Sequence, residues 1–158
     1  MAYTFQITSV FSRLPVAENV ALALRWRTGD DVAATNLQVA EALDRVGIAD
    51  RADQLAGDLS YGHQRLLEIA MGLSQQPRLL ILDEPTQGLA DSEIADFVAL
   101  IRGLAGDMTI LLIEHNINVV MQTADAITVL NFGSVLASGT PSEIRNNAAV
   151  QAAYLGTG

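Results

Sequence analysis

The chain has 158 residues, half of them apolar and 17% charged, which is enough to bury one sizeable globular core and excludes a disordered chain. Eighteen acidic residues stand against nine basic ones, and the net charge of −9 argues against nucleic acid as a partner, because that binding rests on cations neutralising phosphates. All nine basic residues are arginine, so these residues hold no Gly-x-x-x-x-Gly-Lys-Ser/Thr phosphate loop, whose lysine acts as a point charge on the phosphates.

The first half reads as helical. After Pro15, the stretch from Val16 to Arg27 is rich in Ala, Leu and Val without strand-like alternation, and Gly29-Asp30-Asp31 breaks it. A second helical pattern runs from about Val32 to Val46, with Val39, Ala42, Leu43 and Val46 at helical spacing and Gly47 just past its end. A polar turn, Asp58-Leu59-Ser60-Tyr61-Gly62, then opens a helix carrying Leu66, Leu67, Ile69, Ala70 and Leu73, which Pro77 ends.

From there strands and helices alternate. Leu79 to Leu82 and Thr109 to Ile113 are short apolar runs of the kind buried on both faces of a parallel sheet. Asp91-Ser92-Glu93 can cap a helix reaching about Ala105, with Gly106 as its stop. A helix over Ile117 to Thr123 follows, then strands at Ala126 to Leu130 and Ser134 to Ala137 around the Phe132-Gly133 turn. Thr140-Pro141-Ser142-Glu143 is a capping box with proline at the first helical position, opening a last helix. The expected fold class is α/β: a helical part, about 12–75, precedes a helix-covered, mostly parallel sheet with a C-terminal helix, about 76–158.

In open parallel sheets, ligands bind beyond the carboxyl ends of the strands. The first buried run ends in Asp83-Glu84-Pro85 and the second in Glu114-His115-Asn116. A carboxylate there can hold Mg²⁺ through water, a second can deprotonate an attacking water, and a histidine can donate to a phosphate oxygen. The same residues can equally be polar caps on buried strands. Ser60 with Gly62 at a helix start offers a hydroxyl and free backbone N–H groups to an anion, although a serine in that place is also explained as an N-cap. With no cysteine, the chain has no disulfide framework, thiolate nucleophile or cysteine zinc site. No signal-peptide succession is present, and the apolar runs fall short of the ~20 residues a membrane helix needs, so any membrane role is peripheral.

Taken in order, Leu59-Ser60-Tyr61-Gly62-His63-Gln64-Arg65, Leu79 to Thr86, Gly88-Leu89 and Ile113-Glu114-His115 resemble the ATP-binding subunit of an ABC transporter, a P-loop-type ATPase, over essentially the whole chain. Thr4-Phe5-Gln6 and Pro15 to Val20 look like that family's glutamine loop and the entry to its helical subdomain. The tail, Gly139 to Ile144 and Ala153-Tyr154-Leu155-Gly156, looks like subunits serving branched-chain amino acid importers, as does the tyrosine in the signature turn.

The resemblance implies ATP and Mg²⁺ as cofactors, with Gln6 sensing the γ-phosphate, metal and attacking water. It implies Asp83 as the metal ligand together with Gln6, Glu84 as general base and His115 as the switch histidine. Ser60 and Gly62, within a turn that includes Tyr61 and His63, would grip the γ-phosphate of ATP bound mainly by the other subunit of a head-to-tail dimer. Transmembrane permease subunits and a second ATP-binding subunit are the implied partners, docking falls to the helices between Val16 and Val46, and the implied place is the cytoplasmic face of the membrane.

The sequence departs from the pattern at His63, where glutamine is usual, at Ala90 in place of the D-loop aspartate, and at Asn116 after the switch histidine. The P-loop region that precedes the glutamine loop in this family has no counterpart, so the chain reads as a truncated ATPase domain. Two expectations follow: weak or absent binding of Mg-ATP by the chain alone, and uncovered strands at Leu79 to Leu82 and Thr109 to Ile113 that favour a homo-oligomer. The alternative function is a non-catalytic module that pairs with a full-length ATPase.

Overall fold

The computed structural model describes residues 2–4, 10–28 and 32–155. It divides into two compact units at the Ile113–Glu114 bond. The sequence pattern alone changes character earlier, near residue 75.

The first unit opens with a short strand, β1 (Ala2–Thr4), followed by α1 (Val16–Thr28) and α2 (Val32–Arg45). Val16, Val20 and Leu24, four residues apart, are fully buried along one stripe of α1, and Val39, Ala42 and Leu43 bury the matching stripe of α2. Between Val20 and Val16 the buried Asn19 ties down the entering loop: its Oδ1 accepts from Phe11 N–H at 2.7 Å, and its amide donates to the carbonyls of Phe11 and Pro15. Gly47 ends this hairpin at a φ of 74°, and two single-turn 3₁₀ segments lead to α3 (Tyr61–Ser74). That helix buries Leu67, Ile69, Ala70 and Leu73.

Next come β2 (Leu79–Asp83), α4 (Asp91–Leu104) and β3 (Thr109–Ile113). Among the described residues the sheet runs β1-β2-β3, parallel throughout, with Tyr3 opposite Ile81 and Asp83 opposite Ile113. The α/β class and the parallel sheet are as the alternation of elements predicts. Strand β1 was not legible as a strand, because three residues carry no alternation to read.

Two expectations need correction. The runs in β2 and β3 are not buried on both faces: Leu80 and Leu82 are fully buried, but Leu79 and Ile81 are only partly covered, and Leu111 and Ile113 are close to half exposed. The helix α4 is capped from Ala90 rather than Asp91, with the Glu93 carboxylate accepting from the Ala90 N–H at 2.9 Å. An alanine has no oxygen to cap with, so the downstream glutamate supplies the bond.

The second unit starts with α5 (Ile117–Thr123), whose N-cap Asn116 accepts from the amides of Asn118 and Val119. The two further strands expected around the Phe132-Gly133 turn follow as β4 (Ile127–Asn131) and β5 (Ser134–Gly139), paired antiparallel as a hairpin. Its turn places Phe132 and Gly133 at φ 46° and 78°, the left-handed pair that a two-residue hairpin loop requires. The C-terminal helix is broken. The segment α6 (Pro141–Arg145) ends at Asn146, Asn147 caps α7 (Ala148–Val150), and a π-type turn covers Gln151–Leu155. The capping box is as predicted, with Thr140 accepting from Glu143 N–H and Glu143 accepting from Thr140 N–H. Ile127, Ile144 and Val150 form the small core, with Val120, Met121 and Leu136 packed on it.

Candidate functional site

The turn before α3 and the end of β2 lie in the same unit, joined by one buried side chain. Ser60 caps α3 through its hydroxyl, which accepts from His63 N–H at 3.3 Å and lies 2.7 Å from His63 Nδ1. One turn later Arg65 is almost fully buried. Its guanidinium donates to the Glu68 carboxylate and to the backbone carbonyl of Asp83, both at 2.6 Å. A buried arginine needs such partners, since an uncompensated charge inside a protein is costly. The signature helix is therefore pinned to the peptide that leads into Glu84.

Glu84 itself sits at φ 43°, a left-handed conformation that costs a non-glycine residue about 1–2 kcal/mol. Its N–H donates to the Ile113 carbonyl at 2.8 Å, which extends the β2–β3 ladder by one bond and turns the chain out of the sheet. Strain held in place on both sides, by Arg65 on the preceding carbonyl and Ile113 on the amide, is the kind that accumulates where a side chain must be aimed. Asp83 and Glu84 thus occupy the carboxyl edge of the sheet as the sequence predicts.

The glycines of the site are explained by close approach. A Cβ on Gly62 would collide with the Glu93 carboxylate, and one on Gly88, at φ 79°, would lie 3.3 Å from the Tyr61 ring. Tyr61 therefore packs over the loop that follows Glu84. The cleft beside Gly62 has a volume of about 100 Å³ and is lined by His63, Arg65, Glu93 and Asp96 among others. From the sequence, Glu68 was not singled out, and Arg65 and Glu93 appeared only as part of the Leu59–Arg65 motif and of a helix cap, with no role at the site. Their signal was present: Arg65 shares the face of Ile69 and Leu73 at i, i+4 and i+8, with a carboxylate three residues on.

His115 belongs to the second unit. Its ring is largely exposed, and the preceding Glu114 carboxylate, fully buried, accepts from the N–H groups of His115 and Asn116 at 2.9 and 3.0 Å. Gln6 lies outside the described residues. Among the described residues no group of three or more metal-ligating side chains is assembled. Asp83 at the sheet edge is a donor of the type Mg²⁺ takes, since that ion is typically held by one or two carboxylates, water and substrate phosphates.

A helical layer feeding a parallel sheet, with a capped turn pinned to acidic residues at the sheet's carboxyl edge, defines an α/β protein with its polar groups gathered where such sheets bind ligands. A family model for ABC transporters matches residues 1–87, and one for the branched-chain amino acid ATP-binding cassette transporter matches residues 134–158. The chain belongs to the ABC transporter family. It is 40% identical over 169 aligned residues to the high-affinity branched-chain amino acid transport ATP-binding protein LivG of Salmonella typhimurium, covering 97% of this chain and 66% of that protein. The methionine import ATP-binding protein MetN 1 of Rhodococcus jostii is 41% identical over 89% of this chain and 42% of its own length. Among solved structures, cbiO1 from Clostridium perfringens, part of the ABC transporter complex cbiONQ, matches with a TM-score of 0.85 and 28% identity, over 96% of this chain and 61% of that one. The chain thus spans about two thirds of the length of the LivG relatives or slightly less.

Proposed function

We propose that this chain works as the ATP-binding, ATP-hydrolysing part of an importer for branched-chain amino acids, at the cytoplasmic face of the membrane. The observation that carries the reading is the Arg65 link, which fixes the Ser60 turn and the Asp83–Glu84 corner in one rigid unit. The substrate class is supported by the LivG-type relatives and by the match of residues 134–158. No helix among the described residues is long and apolar enough to cross a membrane. In this reading the path for the solute belongs to permease subunits. The open groove of about 420 Å³ between α1 and α2, lined by Leu22 and Val32 with Glu18 and Arg25 at hand, is the surface we assign to them.

In this reading Asp83 holds Mg²⁺ through water, with Gln6 as a further ligand, and the metal when bound neutralises phosphate charge. Glu84, held in its left-handed backbone conformation just past the end of β2, takes the proton of the water that attacks the γ-phosphorus. His115 donates to the γ-phosphate, and Ser60, Tyr61, Gly62 and His63 form the turn offered to a nucleotide seated on a second ATP-binding subunit, head to tail. These 158 residues hold no lysine and no P-loop, so on their own they bind Mg-ATP weakly, and an assay of them includes a P-loop-bearing subunit. The test combines the chain with such a subunit and follows phosphate release. Glu84→Gln should lower turnover by about 10²–10⁴-fold, the share general base catalysis supplies. Full turnover in that variant would remove Glu84 from the chemistry. Assembly without any turnover in the unsubstituted chain would favour the non-catalytic pairing module.

A further inference from the structure

We propose that His63 sets the direction of the Ser60 hydroxyl proton and thereby makes phosphate recognition at this turn depend on pH; the inference rests on the reading of Ser60 as a nucleotide contact. A serine hydroxyl has one hydrogen to donate and two lone pairs to accept with. At Ser60 one lone pair takes the His63 backbone N–H, and the ring Nδ1 of the same residue stands at 2.7 Å. That short contact can be made in only two ways. When Nδ1 carries no proton, the hydroxyl donates to it, and Ser60 turns only lone-pair density toward an incoming anion. When Nδ1 is protonated it donates to Oγ, both lone pairs are used inside the turn, and the hydroxyl hydrogen is left to point outward at a phosphate oxygen. The imidazolium always carries that proton, whereas the neutral ring carries it in one tautomer only.

Charge acts in the same direction. The charged groups that face His63 across the cleft are Arg65 from its own helix and Glu93 and Asp96 from α4; Val46 and Leu89 bring none. Arg65 is committed to Glu68 and the Asp83 carbonyl, and Glu93 to the Ala90 N–H. With the Arg65 guanidinium already matched by Glu68, Glu93 and Asp96 leave the cleft negative while the ring is neutral. Protonation of His63 offsets part of that excess and weakens a repulsion that the phosphate would otherwise meet. Glutamine, usual at this position, can donate and accept but cannot change charge, so the switch is a property of this chain's histidine.

Two measurements test this. With only two histidines in the chain, the His63 ring is assigned in ¹⁵N spectra against the His115→Gln variant. Ser60→Ala should move the His63 Nδ1 resonance, and Ser60→Thr, which keeps a hydroxyl, should restore it; an Nδ1 signal indifferent to Ser60→Ala overturns the inference. The second measurement is Mg-ATP affinity of the chain assembled with a P-loop-bearing subunit, at about pH 6 and about pH 8. Relative to His63→Gln, which corrects for protonation of the nucleotide itself, the unsubstituted chain should bind about tenfold tighter at the lower pH, the scale of one charge-assisted hydrogen bond. Equal pH dependence in both proteins overturns the role of His63, while a Ser60→Ala loss at both pH values leaves Ser60 as the nucleotide contact. No effect of Ser60→Ala at either pH would instead remove the reading of Ser60 on which the inference rests.

Discussion

Up to Ile113 the chain is held by burial. Val16, Val20, Leu24, Leu67, Ile69, Leu80 and Leu82 are wholly removed from solvent, and the polar groups that went with them, Asn19, Arg65 and Glu68, carry their own partners inside. From Glu114 onward the buried apolar residues are Val119, Ile127, Ile144 and Val150, and order depends instead on side chains that cap short elements: Asn116, the Thr140–Glu143 pair and Asn147. The contrast teaches that the two halves should fail differently. The first should break at single, expensive sites, and the second should loosen by small increments.

The sharpest test of that contrast is Arg65→Met. It leaves the Glu68 carboxylate buried without its guanidinium and should cost about 3–5 kcal/mol in denaturant unfolding. Replacing Glu68 by methionine as well should recover much of the loss, because an apolar pair of similar volume is often close to neutral in such a place. If the double variant is as unstable as the single one, the bond to the Asp83 carbonyl, rather than the ion pair, is what holds the helix. Next in size are core truncations. Leu80→Ala should cost about 2–5 kcal/mol, whereas Ile144→Ala, in a smaller core that can collapse, should fall near the lower end of that range. Equal costs would erase the distinction between the two units.

Smaller effects sharpen the second half of the comparison. Asn147→Ala removes the oxygen that accepts from the Ala149 and Val150 amides and should cost about 1 kcal/mol, read as faster amide exchange confined to residues after Asn146. The least is a pH effect. The bonds that Glu143 accepts from the Thr140 backbone N–H and hydroxyl hold its carboxyl below the usual carboxylate range. A folded value lower than the unfolded one means the contribution is present above the unfolded pKa and is lost as pH falls through the folded one. Acidification should therefore loosen the exchange protection of α6 in the unsubstituted chain, and a Glu143→Gln variant should show less of that dependence.

Much of the candidate site could be read before any fold was known, because its residues obey local rules. Ser60 caps a helix, Gly62 follows it in the helix's first turn, and Asp83-Glu84 ends an apolar run. The hairpin was half legible: Phe132-Gly133 marked the turn, but the antiparallel pairing of β4 with β5 separates these strands from the parallel sheet. The brief strand β1 and the break of the last helix at Asn146 were not legible, since three residues of strand and a one-turn interruption leave no period to detect.

By itself the sequence determined most of the elements, their order, the caps at Ser60 and Thr140 and the chemical types at the sheet edge, for these depend on neighbours a few residues apart. Only the tertiary structure decided that Arg65 reaches across eighteen positions to the Asp83 carbonyl, that Glu84 is held in a left-handed turn by Ile113, and that one side of β3 stays open. Those are outcomes of packing: a buried charge must find partners wherever the fold brings them, and no local pattern records which strand will pass close enough to supply one.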